Sequence, residues 1–249
     1  MVPEALVLRV AGVNCQYETA FALKQAGFKT AIAHLNSVTN KSVLLKKFSI
    51  LVVPGGFSFG DYLGSAKVLA NQLKLLLKDD ITDFISGGNL VLGICNGFQA
   101  LVKCGLLPAF DAPFEAQSVT LTFNDSMHFQ DEWIEMQALR ESKCIFTAGI
   151  EKIECPINHG EGKFVPRDEN VLSQLYENRL VALKYVRNPN GSVDGIAGIC
   201  DKTGRVFGLM PHPEKHLFAI NHPQSTRSGA TGFGDGFAIF KNAFDYCKK

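Results

Sequence analysis

The chain has 249 residues, with 25 Lys and Arg against 24 Asp and Glu, and its formal charge of +1 gives no electrostatic reason to expect nucleic acid or an anionic membrane surface as a partner. No run approaches the roughly 18 apolar residues that span a bilayer, and the start Met1-Val2-Pro3-Glu4 lacks the basic region of a signal peptide. Seven cysteines, an odd number without a C-x-x-C spacing, argue against a disulfide framework and fit a reducing cytoplasm, while the length fits one large domain over residues 1–249.

In the first hundred residues, short apolar runs alternate with helix-length amphipathic stretches. This is the pattern of strands and crossover helices in a parallel sheet. Strands are predicted at 6–10, 30–35, 50–53 and 90–94, as continuous apolar runs of the kind buried on both faces. Helices are predicted at 16–25, with Tyr17, Ala20 and Phe21 on one face, at 64–78, and at 98–104, closed by Gly105. From about residue 117 the runs shorten, with strands at 119–123, 180–186, 196–200 and 206–210. Turn signals at Asn188-Pro189-Asn190-Gly191 and Thr203-Gly204 suggest antiparallel hairpins beside the sheet. A polar, Gly-rich stretch at 221–236, expected to be flexible, precedes a last helix at 237–246. The fold class is therefore α/β, a mostly parallel sheet with flanking helices and an added antiparallel hairpin region.

Ligands of open α/β sheets bind beyond the carboxyl ends of the strands. Three loops are expected there: Gly12-Val13-Asn14-Cys15, the stretch from Pro54 to Tyr62, and Gly93-Ile94-Cys95-Asn96-Gly97. The last has the form of a nucleophile elbow with cysteine in place of serine, where flanking glycines avoid a Cβ collision in the tight strand-to-helix turn. Far downstream, Met210-Pro211-His212-Pro213-Glu214 places a base and a carboxylate two residues apart. Residues before proline favour extended backbone, so His212 and Glu214 are expected to face one way, with Glu214 orienting the imidazole that takes the Cys95 proton. Pro54-Gly55-Gly56 presents backbone amides at close approach, making the Gly56 and Asn96 N–H groups the candidate oxyanion hole. Pro-Gly-Gly is equally a common turn. Gln99 lies one helical turn beyond Cys95, where its amide could meet a substrate or simply be solvated, and Asn158-His159-Gly160-Glu161-Gly162 is either a polar ligand loop or a hairpin turn. Cys15 is a rival nucleophile without the small flanking residues. The chain has no H-E-x-x-H, Walker A or G-x-G-x-x-G motif and no metal-ligand spacing, so no metal or nucleotide site is indicated.

Together, Pro54 to Leu63, Gly93 to Gln99, Pro156 to Gly162 and Gly208 to Glu214 resemble class I glutamine amidotransferases nearly end to end. Phe57-Ser58-Phe59-Gly60-Asp61-Tyr62 and Cys95-Asn96-Gly97-Phe98-Gln99 are similar to the glutaminase subunits of phosphoribosylformylglycinamidine synthases. The resemblance implies a flavodoxin-like sheet, a Cys95–His212–Glu214 triad, a glutamyl thioester, and release of glutamate and ammonia. Gly55, Gln99, His159, Gly160 and Glu161 are the candidate glutamine contacts. It also implies partners: a large synthetase subunit that uses ATP and Mg, neither of which this chain is expected to bind, and a small accessory subunit. Three positions depart from the family pattern, Gly64 and Lys215 where arginine is usual and Glu132 where a basic residue precedes Trp133. Two competing readings are a stand-alone hydrolase of the same superfamily, such as a γ-glutamyl hydrolase, and a non-enzymatic binding module.

Overall fold

The computed structural model describes residues 1–249. The chain begins with β1 (Glu4–Arg9), α1 (Gln16–Ala26), β2 (Lys29–His34), α2 (Leu35–Thr39), β3 (Ile50–Val53), α3 (Lys67–Leu76), α4 (Lys78–Ser86), β4 (Leu90–Ile94) and α5 (Asn96–Lys103). Then come β5 (Val119–Thr122), β6 (Gln130–Ala138), β7 (Lys152–His159), β8 (Lys163–Pro166), α6 (Glu169–Glu177), β9 (Val181–Tyr185), β10 (Ile196–Cys200), β11 (Val206–Leu209), α7 (Ser225–Ser228) and α8 (Phe237–Cys247). Nine strands form one sheet in the order β2-β1-β3-β4-β11-β10-β9-β6-β7, and β5 and β8 form a separate pair. The pairings from β2 through β11 are parallel, and those from β11 to β7 are antiparallel.

The antiparallel region thus continues the sheet, where hairpins beside it were predicted. Backbone pairing explains the difference, because β11 docks parallel to β4 and carries β10, β9, β6 and β7 outward from it. The sheet then curls, and β7 returns over the site: His212 N–H donates to the Pro156 carbonyl at 2.9 Å.

Strands β3 and β4 are buried at every residue, as their unbroken apolar runs require. Helix α1 ends at Gly27, in a left-handed conformation whose N–H caps the Leu23 and Lys24 carbonyls. Its buried residues include Thr19, Ala20, Leu23 and Ala26; of the predicted face only Ala20 is among them, whereas Tyr17 and Phe21 are exposed (65% and 47%). Small alanines let α1 pack closely on its neighbours and leave the large rings outside. The stretch predicted as one helix at 64–78 begins later, at Lys67, and is broken at Leu77, after which α4 starts at Lys78; Leu35 opens α2 and does not extend β2. Seventy-one buried residues form one continuous apolar cluster from β1 to α8.

Register builds the site. Val53 pairs with Gly93 and Ile94 with Leu209, so β3, β4 and β11 end level. The next residues of each, Pro54-Gly55-Gly56, Cys95 and Met210-Pro211-His212, therefore share one edge of the sheet.

Candidate active site

Cys95 sits at the turn between β4 and α5 with φ 51° and ψ −106°. A non-glycine residue there carries strain of about 1–3 kcal/mol, which the surroundings must hold in place. They do so through the Cys95 N–H, bonded to the Leu209 carbonyl at 2.8 Å, and the Cys95 carbonyl, which accepts from Gln99 N–H at 3.1 Å. The glycines are steric necessities, as the motif predicted. A Cβ on Gly97 would lie 1.8 Å from the Val53 carbonyl oxygen, and one on Gly93 would lie 2.7 Å from Leu101 Cδ1 and 2.8 Å from the Gly97 carbonyl.

Pro213 opens a 3-10 turn over Pro213–Lys215, so Glu214 reaches His212 across a turn and not along an extended segment as predicted. The pairing survives that difference. His212 Nδ1 and Glu214 Oε1 are 2.7 Å apart, both side chains buried. A carboxylate only accepts, so Nδ1 carries the hydrogen and Nε2 remains for the thiols. Cys95 and Cys15 both lie against the ring. Burial acts to lower the imidazole pKa, but the Glu214 charge and the neighbouring Cys95 and Cys15 side chains outweigh it and hold His212 well above its ordinary range. Gly55 forms the floor under the ring: a Cβ there would come 2.7 Å from His212 Cε1. Its role is to let the imidazole sit flat against the chain.

The Gly56 N–H has no acceptor in the protein, and the Asn96 N–H is the first of α5, where no intrahelical carbonyl can reach it. Both are free at the edge where Cys95 stands, with the positive end of the α5 dipole behind them. The Asn96 side chain has a second task that its motif does not reveal. Its Oδ1 accepts from Ser58 N–H at 3.1 Å and its Nδ2 donates to Asp61 Oδ1 and Gln99 Oε1, each at 3.1 Å, tying the loop after β3 to α5. Gln99 completes the brace by donating Nε2 to the Glu161 carbonyl at 2.6 Å, while Glu161 Oε2 accepts from Ser65 N–H and lies 3.8 Å from Lys103 Nζ.

A pocket of about 180 Å³ opens on Cys95, Gly56 and His212, and its other walls are Asn14, Cys15, Phe57, Phe129, Asn158 and Lys215. Gln99, His159, Gly160 and Glu161 lie outside those walls. Gln99 and Glu161 brace loops, and His159 is buried with Nδ1 3.1 Å from Asn124 Oδ1. Burial and the neighbouring His212 lower the His159 pKa to about 4, which keeps it neutral. The pocket brings in Asn158 and Lys215, joined at 3.1 Å, which sequence reasoning had named only as part of a polar loop and as a departure. Of the other departures, Glu132 pairs with Arg187, and a Cβ on Gly64 would lie 3.9 Å from Lys103 Nζ. A larger cavity of about 380 Å³, beside Val43, Phe84 and Asn89, has no thiol or histidine in its walls. No helix is long and apolar enough to cross a membrane.

Residues 2–247 match the CobB/CobQ-like glutamine amidotransferase domain. The chain is 41% identical over 254 residues to phosphoribosylformylglycinamidine synthase subunit PurQ of Dehalococcoides mccartyi, covering 99% of this chain and 98% of the relative. It is 39% identical to the subunit of the same name from Methanococcus maripaludis, over 100% of this chain and 99% of that one. Among solved structures, a chain of PurLQS from Thermotoga maritima superposes with a TM-score of 0.78 at 32% identity, with 99% of each chain covered.

Proposed function

Because this chain belongs to the CobB/CobQ-like glutamine amidotransferase family, we propose that the Cys95–His212–Glu214 group hydrolyses glutamine and that the ammonia feeds a synthetase partner. The chain is the glutaminase subunit of phosphoribosylformylglycinamidine synthase, an enzyme of purine biosynthesis. The observation that carries the chemistry is the nucleophile at a strained elbow facing an imidazole whose far nitrogen is held by a buried carboxylate at 2.7 Å.

In this reading Cys95 Sγ bonds to the side-chain carbonyl carbon of glutamine, and His212 Nε2 takes the thiol proton. The oxyanion forms against the Gly56 and Asn96 N–H groups. His212 returns the proton to the departing nitrogen, ammonia leaves, and a γ-glutamyl thioester remains on Cys95. Water then attacks with His212 as base, and glutamate is released. Lys215 and Asn158, at the pocket wall, suit the charged end of the amino acid.

None of these steps needs a metal or a nucleotide on this chain; ATP and Mg belong on the large synthetase subunit, with a small accessory subunit completing a cytoplasmic complex. Phe57 and Phe129 line the mouth, and Tyr62 and Leu63 extend from the same loop as Phe57, with Tyr62 88% exposed. An apolar rim of this kind suits a protein partner that covers the mouth while ammonia passes.

The test is covalent capture. The chain, alone and with its synthetase partner, is treated with diazo-oxonorleucine, and the adduct is mapped by mass spectrometry for wild type, Cys95→Ala and Cys15→Ala. Labelling confined to Cys95 is the expected result. No labelling in either setting would overturn the glutaminase reading, and turnover of γ-glutamyl peptides indifferent to the synthetase would favour a stand-alone hydrolase.

A further inference from the structure

Cys15 has no part in the reaction as derived, yet it stands at its centre. Its Sγ, a His212 ring nitrogen and a Glu214 carboxylate oxygen all lie within 4.8 Å of one another, and all three residues are buried. Cys15 reaches this position from the opposite loop, where its N–H donates to the Gly55 carbonyl at 3.3 Å, so the same close approach that seats the imidazole on Gly55 brings the second thiol beside it. Cys95 lines the same pocket. Glu214 Oε2 is buried and has no hydrogen-bond partner, leaving one carboxylate oxygen uncommitted.

We propose that Cys15, His212 and Glu214, with Cys95 beside them, form a binding site for a thiophilic divalent cation of the Zn²⁺ type, and that occupation of this site excludes glutamine. Thiolate, imidazole and carboxylate are the donor set that Zn²⁺ selects, and a tetrahedral ion needs four donors at about 2.0–2.3 Å. Cys15 supplies the sulfur that an ordinary cysteine–histidine enzyme lacks. Glu214 serves either as a ligand through its free oxygen or as the carboxylate that orients the coordinating imidazole. An ion held there takes both the Cys95 nucleophile and the His212 base out of use, and the inhibition is reversed by a chelator.

The experiment titrates the purified full-length chain with Co²⁺, following the thiolate-to-metal charge-transfer absorption, and then displaces Co²⁺ with Zn²⁺. In parallel, Zn²⁺ inhibition of glutamine hydrolysis is measured with the synthetase present, each rate normalised to the same variant in chelator. Wild type is expected to bind one equivalent, and glutamine to raise the apparent dissociation constant. Cys15→Ala should weaken binding and inhibition by at least roughly tenfold. Cys15→Ser serves the same arm should the alanine variant fail to fold.

A Cys15→Ala protein that binds Zn²⁺ as tightly as wild type overturns the proposal, as does a wild type that shows no charge-transfer band with Co²⁺. The inhibition arm rests on the glutaminase reading, but the absorption arm does not. Absent turnover with intact Co²⁺ binding would therefore count against the function and leave the site standing.

Discussion

Gly55→Ala isolates the seating of the catalytic imidazole from the rest of the fold. The new Cβ would stand 2.7 Å from His212 Cε1 and 3.4 Å from both His212 Nδ1 and Cys15 Sγ. Carbon atoms rest at about 3.5–4.0 Å, so the ring has to withdraw by about 1 Å. Glu214 tethers Nδ1 at 2.7 Å, and a shift of that size either breaks the tether or carries Nε2 away from Cys95. A misplacement of about 1 Å costs roughly 10²-fold in rate, or about 2.7 kcal/mol of transition-state stabilisation. Gly55 lies outside the left-handed region, so alanine adds no backbone strain, and the ring it presses on borders an open pocket. Folding stability should therefore change by less than about 1 kcal/mol. The assay is kcat/KM for glutamine-dependent ammonia release in the reconstituted complex, beside the thermal midpoint and the rate of diazo-oxonorleucine labelling. An activity within about threefold of wild type, at unchanged midpoint, would refute the steric argument, because the misplacement it requires costs far more. Gly97→Ala is the contrast: its Cβ would meet the Val53 carbonyl at 1.8 Å, so its effect falls on folding itself.

Asn96→Ala keeps the candidate oxyanion N–H but frees Ser58 N–H and Asp61 from their brace. It is expected to lower stability by about 1–3 kcal/mol and to reduce kcat more than it raises KM; unchanged stability and unchanged kcat would refute the bracing role. His159 contributes a pH-dependent term. Its folded pKa, about 4, lies below the ordinary 6.5, so its contribution is fully present above pH 6.5 and is lost as pH falls toward 4, about 3 kcal/mol in all. His212 works in the opposite sense, since its raised pKa makes its contribution full below 6.5 and lost as pH rises through the folded value. Urea unfolding of His159→Gln across the acid range should show a shallower loss than wild type, and parallel curves would count against the assignment. Burial pushes the Cys104 and Cys247 thiols up to about 12 and raises Cys155, while Cys144 and burial raise Cys200. Iodoacetamide at neutral pH should therefore modify Cys95 well before these four in the native protein, as read by peptide mapping; equal rates at any of them would refute their inertness.

The local features were legible in the residues themselves. Unbroken apolar runs marked β3 and β4, a cysteine between spaced glycines marked the elbow, and the prolines around His212 marked the segment that carries the base. Each depends on contacts within a few residues, where chain sterics and solvent leave few alternatives. Long-range matters were decided by packing. An antiparallel region was expected and is present, but of its strands only β9, β10 and β11 were named from the sequence, and their joining the main sheet was not foreseen, because which strand edge β11 joins depends on partners more than a hundred residues away. Tyr17, Ala20 and Phe21 were placed together on the apolar face of α1, yet packing buries Ala20 with Thr19, Leu23 and Ala26 and leaves the two rings exposed. Gln99 and Glu161, expected at the substrate, are engaged with each other across the fold, and Cys15 stands against an imidazole nearly two hundred residues later in the chain. A sequence determines which groups are available and what each strand or turn can be; only the assembled sheet, with its strands in the order β2-β1-β3-β4-β11-β10-β9-β6-β7, determines which of those groups meet.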